Sequence, residues 1–65
     1  MKNYIVLYYV SGIPRDENPL GFKVMAEDVE HANEQTLSAY PDATIVYFYE
    51  GKDYLHACAE YWMAQ

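Results

Sequence analysis

The pattern of apolar and polar positions predicts three strands. Residues 3–10 and 43–50 are β-branched and aromatic at both alternate sets of positions, which is typical of strands buried on both faces. Residues 21–27 place apolar side chains at every second position, so we expect this strand to bury one face only. Residues 11–20 hold two prolines and a glycine among polar residues, which predicts a long, mobile loop.

Two helices follow the second and third strands. Asp28 is a predicted N-cap, and the helix after it runs to about Tyr40, because Pro41 disfavours a helical conformation in the residue before it. Asp53 caps a second helix that runs from Tyr54 to near the C-terminus. The predicted inward stripe of the first helix is Val29, Ala32, Thr36 and Tyr40, with Ala39 beside it. The predicted inward stripe of the second helix is Leu55, Cys58, Ala59 and Trp62.

The element order β-β-α-β-α indicates a single α+β domain over residues 1–65. A right-handed crossover through the first helix makes the second and third strands parallel to each other. The first strand then lies between them and antiparallel to both, which gives a three-stranded mixed sheet in the order 2-1-3. The second helix covers either the same sheet face as the first helix or the opposite face. In the former case one face with several aromatic residues stays open, and such a face usually marks an interface.

The composition limits the classes of function. A net charge of −6 repels nucleic-acid phosphates and anionic membranes, so we expect no direct binding to either. A basic protein surface is the natural complement, although charge of this size also serves plain solubility. The apolar run from Tyr4 to Val10 is far shorter than the ~20 residues that a spanning helix needs. Cys58 is the only cysteine, so no disulfide forms within the chain, and a lone cysteine suits the cytoplasm.

The candidate partner-binding residues are mostly carboxylates. Glu30 and Glu34 lie one turn apart on the outer side of the first helix, which predicts an acidic ridge or simply a solvated helix face. Glu27 lies near the start of that helix. Asp16 and Glu17 lie in the 11–20 loop and extend the predicted set. Two residues of the second helix, Tyr54 and Tyr61, either extend the contact surface or pack on the sheet edge.

Catalytic and metal-binding patterns are weak. His31, Glu27 and Glu34 could reach one divalent ion, but no second histidine or cysteine is spaced to complete a typical zinc set. His56 and Cys58 are two positions apart and therefore point to different sides of a helix. Cys58 shares a side with Leu55, which indicates a small core residue. We therefore expect no enzymatic activity, no bound metal and no cofactor.

Residues 26–43, Ala-Glu-Asp-Val-Glu-His-Ala-Asn-Glu-Gln-Thr-Leu-Ser-Ala-Tyr-Pro-Asp-Ala, resemble the strand–helix–strand core of small phage-encoded proteins. The resemblance covers about half the chain and includes no diagnostic motif, so it assigns no functional residues. It implies a function common among small acidic phage proteins, which bind and block a host or bacterial defence enzyme, some by occupying its nucleic-acid site. The expected location is then the host cytoplasm.

Three hypotheses follow from these observations. The first is a non-catalytic inhibitor or modulator that presents an acidic, Tyr-rich surface to a basic, nucleic-acid-handling protein, as a nucleic-acid mimic in its narrowest form. The second is a structural subunit that forms a homodimer or assembly through an open sheet face or the last helix. The third is a small metal protein or enzyme that uses His31 with Glu27 and Glu34.

Overall fold

A computed structural model describes residues 1–65 and contains the predicted elements in the predicted order. They are β1 (Lys2–Tyr9), β2 (Leu20–Ala26), α1 (Val29–Ala39), β3 (Thr44–Glu50) and α2 (Tyr54–Met63). The sheet order is β2-β1-β3, and both outer strands pair antiparallel to β1. The α+β fold and the central position of the first strand are thus confirmed. Every strand pair is antiparallel, so the sheet is antiparallel and not the mixed sheet that was predicted, although β2 and β3, which do not pair, run in the same direction.

Both predicted N-caps are confirmed. The side chain of Asp28 accepts a hydrogen bond from the backbone N–H of His31 at 2.8 Å. The side chain of Asp53 accepts one from the backbone N–H of His56 at 3.1 Å. Each carboxylate satisfies one of the amide groups that the first turn of a helix leaves without a partner, and its charge is favourable there.

The two helices lie on opposite faces of the sheet. Tyr4 and Val6 of β1 pack with Ala32 of α1, whereas Ile5 and Leu7 pack with Cys58 of α2. A strand covered on both sides needs apolar residues at both alternate sets of positions, which explains the composition of β1. The sheet therefore has no face without a helix, and a homodimer through a fully open sheet face is excluded.

Neither helix covers its whole face. α1 packs on β2 and β1, whereas α2 packs on β1 and β3. Two parts of the sheet are therefore not covered by a helix. They are the α1 face of β3 and the α2 face of β2. These two diagonal regions are the least covered parts of the sheet.

The predicted inward stripe of α2 is wrong except at Cys58. The helix buries Ala57, Cys58 and Tyr61, while Leu55 is 74% exposed and Trp62 is 38% exposed. Ala59 is exposed as well. Because α2 carries apolar residues on nearly all sides, periodicity alone does not select one inward direction. The small side chains of Ala57 and Cys58 lie over β1, where the helix packs on the sheet.

The inward stripe of α1 is confirmed at its centre and wrong at its ends. Ala32 and Thr36 are fully buried, but Val29 and Tyr40 are 40% and 42% exposed, and Ala39 is exposed too. The Tyr40 ring still stacks on Tyr8, with ring centroids 5.1 Å apart. The ends of the stripe are exposed because α1 is displaced towards β2, which leaves its β3 side uncovered.

The composition of the loop between β1 and β2 predicted a mobile segment. In the structure, hydrogen bonds instead tie this loop to the rest of the domain. The Tyr9 hydroxyl donates to the carbonyl oxygen of Glu17, and the Tyr54 hydroxyl donates to that of Pro19. The indole N–H of Trp62 donates to the side-chain oxygen of Asn18 at 2.8 Å. Three aromatic side chains, two of them from the distant helix α2, thus hold the loop against the α2 side.

The loop contact of Tyr54 predicts a loss of stability at alkaline pH. Burial raises the pKa of Tyr54 to about 12 from its ordinary value near 10, and a phenolate could no longer donate to Pro19. The unfolded chain therefore loses this proton at lower pH than the folded chain, so the stabilisation is complete below about pH 10 and disappears towards about pH 12. We expect the free energy of unfolding measured in urea to fall over this pH range, and we expect Tyr54→Phe to make that fall smaller. An identical pH profile for both proteins would contradict the assignment.

Candidate functional site

Acidic residues dominate the α1 side of the molecule. Residues 24–51 contain six carboxylates and no lysine or arginine. The six are Glu27, Asp28, Glu30, Glu34, Asp42 and Glu50, and all are exposed. Only Glu50 among them forms an ion pair, with Lys2 at 3.8 Å. The other five carboxylates are not neutralised within the chain.

Glu30 and Glu34 lie on the outermost side of α1, because Ala32 and Thr36 point into the sheet on the opposite side. Their one-turn spacing makes them neighbours and costs a few tenths of a kcal/mol, about 0.2–0.5, through mutual repulsion. Glu30 lies in the first helical turn, where the helix dipole favours a negative charge. The sequence prediction that both side chains point to solvent is therefore confirmed.

Exposed apolar side chains accompany these carboxylates. Val29, Leu37 and Tyr40 are each about two fifths exposed, at 40%, 38% and 42%. On the α1 face of the sheet, Ile45 and Phe48 of β3 are only half-buried, because α1 does not extend over them. We call this region the α1–β3 surface, defined by Val29, Glu30, Glu34, Leu37, Tyr40, Ile45 and Phe48.

The opposite flank of α1 faces β2. The Gln35 side-chain amide donates to the backbone oxygen of Met25 at 3.5 Å and lies 3.1 Å from Nε2 of His31. His31 Nδ1 accepts the backbone N–H of Glu27 at 3.3 Å. With His31 and Gln35 on the β2 side, helical geometry places Val29 and Leu37 on the β3 side of α1.

The possible metal set from the sequence is not assembled. No group of three or more His, Cys, Asp or Glu side chains is placed to hold a metal ion. His31 instead accepts the backbone N–H of Glu27 at Nδ1, a hydrogen bond that ties the start of α1 to the end of β2. The combination of His31 with Glu27 and Glu34 therefore has no geometric support.

The predicted acidic residues do not form one continuous site. Glu27 lies beside the start of α1, close in sequence to Glu30 and at the end of the sheet where β2 finishes. Asp16 and Glu17 are exposed in the β1–β2 loop at the opposite end of the sheet, where Tyr9 and Trp62 tie that loop to the α2 side. The loop carboxylates therefore lie towards the α2 side and do not extend the pair formed by Glu30 and Glu34 on α1.

Tyr54 and Tyr61 are not free contact residues. Tyr61 is 7% exposed and packs edge-on against Tyr47, with ring centroids 6.1 Å apart. The ring of Tyr54 lies over Gly21 of the edge strand β2. The alternative prediction, that both side chains pack on the sheet, is the correct one. The exposed aromatic residues are Tyr40 and Trp62, both of which the sequence pattern had assigned to the interior.

Comparison of the chain with models of protein families, with curated proteins and with solved structures finds no match. None of its helices combines the length and apolar character that crossing a membrane requires. The fold and the surface define a small acidic α+β domain with an apolar region beside the carboxylates of α1.

Proposed function

We propose that this chain is a non-catalytic protein-binding inhibitor or modulator that docks its α1–β3 surface on a basic region of another protein. The observation that carries the proposal is that α1 and its C-cap residue Tyr40 expose apolar side chains, those of Val29, Leu37 and Tyr40, beside the carboxylates of Glu30 and Glu34. Protein interfaces typically place apolar and aromatic anchors at their centre and polar groups around them. An acidic helix face that served solubility alone would not need exposed apolar side chains.

Electrostatics favour a partner that handles nucleic acids. Proteins that bind nucleic acids carry basic patches that contact phosphates. A chain with a net charge of −6 is attracted to such a patch, and this attraction speeds the encounter at low salt. Glu30 and Glu34 would occupy positions that phosphates otherwise take, so inhibition would result from steric and electrostatic occlusion. A phage-encoded nucleic-acid mimic acting in a host cytoplasm is the narrowest form of this proposal.

The test is a pull-down from bacterial lysate followed by affinity measurement on any retained protein. Glu30→Lys/Glu34→Lys should weaken binding about tenfold or more, because attraction becomes repulsion at the contact. Asp16→Lys/Glu17→Lys is the matched control, since it changes the net charge of −6 by the same amount at the other end of the sheet. We expect this control to retain most of the affinity.

Two outcomes would contradict the proposal. Equal losses in both double variants would mean that only net charge matters, and unchanged affinity in the α1 variant would mean that α1 is not the contact. A fall in affinity with added salt in the wild type, reduced in the α1 variant, would support electrostatic docking.

A structural homodimer is the second candidate, and the outer side of α2 favours it. Leu55 and Met63 are 74% and 84% exposed, and Trp62 is 38% exposed. Helices that are apolar on all sides are usually buried, so a second copy of the chain could cover this side of α2. Light scattering at micromolar concentration distinguishes the candidates, because a monomeric mass is incompatible with a stable dimer.

A further inference from the structure

We propose a second binding site, for a small phosphate monoester, in the hollow that α2 leaves uncovered on its own face of the sheet. The hollow has a volume of about 240 Å³ and is lined by Asn3, Lys23, Met25, Gly51 and Lys52, among others. The side chains of Lys23 and Met25 lie on the sheet face opposite α1. This site is therefore separate from the α1–β3 surface and does not depend on the proposed inhibitory function.

The hollow exists because α2 packs on β1 and β3 and leaves the neighbouring part of β2 uncovered. On the α2 face of β2, Tyr54 covers Gly21, but Lys23 and Met25 beyond it are exposed. Met25 pairs with Asn3 of β1, which forms the floor next to the edge strand. The backbone N–H of Gly51 donates to the carbonyl oxygen of Asn3 at 2.8 Å, and this bond brings the β3–α2 turn alongside as a wall.

The cations of the chain are concentrated there. Of the four Lys and Arg residues, Lys2 pairs with Glu50, and Arg15 lies 4.7 Å from the centre of the Tyr9 ring. Lys23 and Lys52 form no ion pair, and both line the hollow.

No carboxylate lines the hollow either. Two carboxylates adjoin its lining residues in sequence: Asp53 accepts the backbone N–H of His56 as a helix cap, and Glu50 pairs with Lys2. Two lysines with no ion pair thus border one hollow, and their positive charges favour an anion there.

Charge and size indicate the class of ligand. A phosphate monoester carries a charge of about −1.5 to −2 at pH 7, which matches two lysines, and lysine binds phosphate as a point charge. The volume of about 240 Å³ is below the usual range of roughly 300–1,000 Å³ for drug-sized ligands, so the ligand must be small. Met25 and the aliphatic stems of the lysines offer apolar contacts to a short organic group.

The experiment is an NMR titration of the whole chain with inorganic phosphate and with glycerol phosphate, at constant ionic strength maintained with chloride. We expect saturable amide shifts in residues 23–25 and 51–52. Lys23→Gln/Lys52→Gln should weaken binding about tenfold or more, since both charged donors to the phosphate are lost. The matched control Arg15→Glu changes the net charge by the same amount in the β1–β2 loop, at the other end of the sheet, and should bind as the wild type does.

Three results would overturn the site. They are an absence of saturable shifts, equal weakening in the control variant, and equally tight binding of acetate, which carries a single charge. Glu30→Lys/Glu34→Lys should bind phosphate as the wild type does, so failure of the α1–β3 proposal and failure of this one are measured separately.

Discussion

Gly21→Val is expected to lower the free energy of unfolding by about 3 kcal/mol. A Cβ atom at Gly21 would lie 2.6 Å from Cδ1 of Tyr54 and 3.3 Å from Cγ2 of Ile5, and valine adds two methyl groups to that overlap. The Tyr54 ring would have to leave its place and would lose its hydrogen bond to Pro19. Overpacking of this kind typically costs about 1–3 kcal/mol, and the lost hydrogen bond adds roughly 0.5–1.5 kcal/mol.

The control is Lys23→Val, which places the same residue two positions along β2 on the same face, where the side chain is exposed. We expect its free energy of unfolding in urea to change by less than about 0.5 kcal/mol. Gly21→Val should also cost far less in a Tyr54→Ala background, because the overlapping ring is absent. An equal cost in both backgrounds would show that overlap with Tyr54 is not the cause.

Leu7→Ala is expected to lower the free energy of unfolding by about 3 kcal/mol, whereas Leu55→Ala should change it by less than about 0.5 kcal/mol. Leu7 of β1 is fully buried under α2, and Leu55 on α2 is 74% exposed. A domain of 65 residues has a total stability on the order of 3–10 kcal/mol, so the Leu7 variant should lose roughly a third or more of it. Urea denaturation followed by circular dichroism measures both changes.

Leu55→Ala also separates alternative orientations of α2. A loss as large as that of Leu7→Ala, independent of protein concentration, would mean that Leu55 faces the core, as its sequence pattern suggested. A loss that grows with protein concentration would instead indicate that the outer side of α2 is covered in a dimer.

The limits of the individual elements were predictable because they depend on chain neighbours. Asp28 and Asp53 cap the helices that follow them, and this local interaction requires no tertiary contact. β1 was predictable as the central strand, since a strand apolar on both faces must be covered on both. The exposure of Glu30 and Glu34 was predictable from helix periodicity, because they lie opposite the small inward residues of α1.

The tertiary structure alone decided which apolar side chains are inside. α2 carries apolar residues on nearly every side, so the inward direction depends on where the helix meets the sheet. Gly21 leaves room for the Tyr54 ring, and β3 offers Tyr47 to Tyr61, so these tyrosines are packed while Leu55 and Trp62 face outward.

The same long-range placement separated the predicted acidic residues and formed the two uncovered regions of the sheet. Asp16 and Glu17 belong to a loop that aromatic side chains tie to the α2 side, and no local pattern encodes those hydrogen bonds. The α1–β3 surface and the Lys23–Lys52 hollow exist because the helices are displaced in opposite directions across the sheet. Sequence periodicity specifies which side of an element is apolar, but the lateral position of a helix depends on side-chain shapes that meet only in the folded chain.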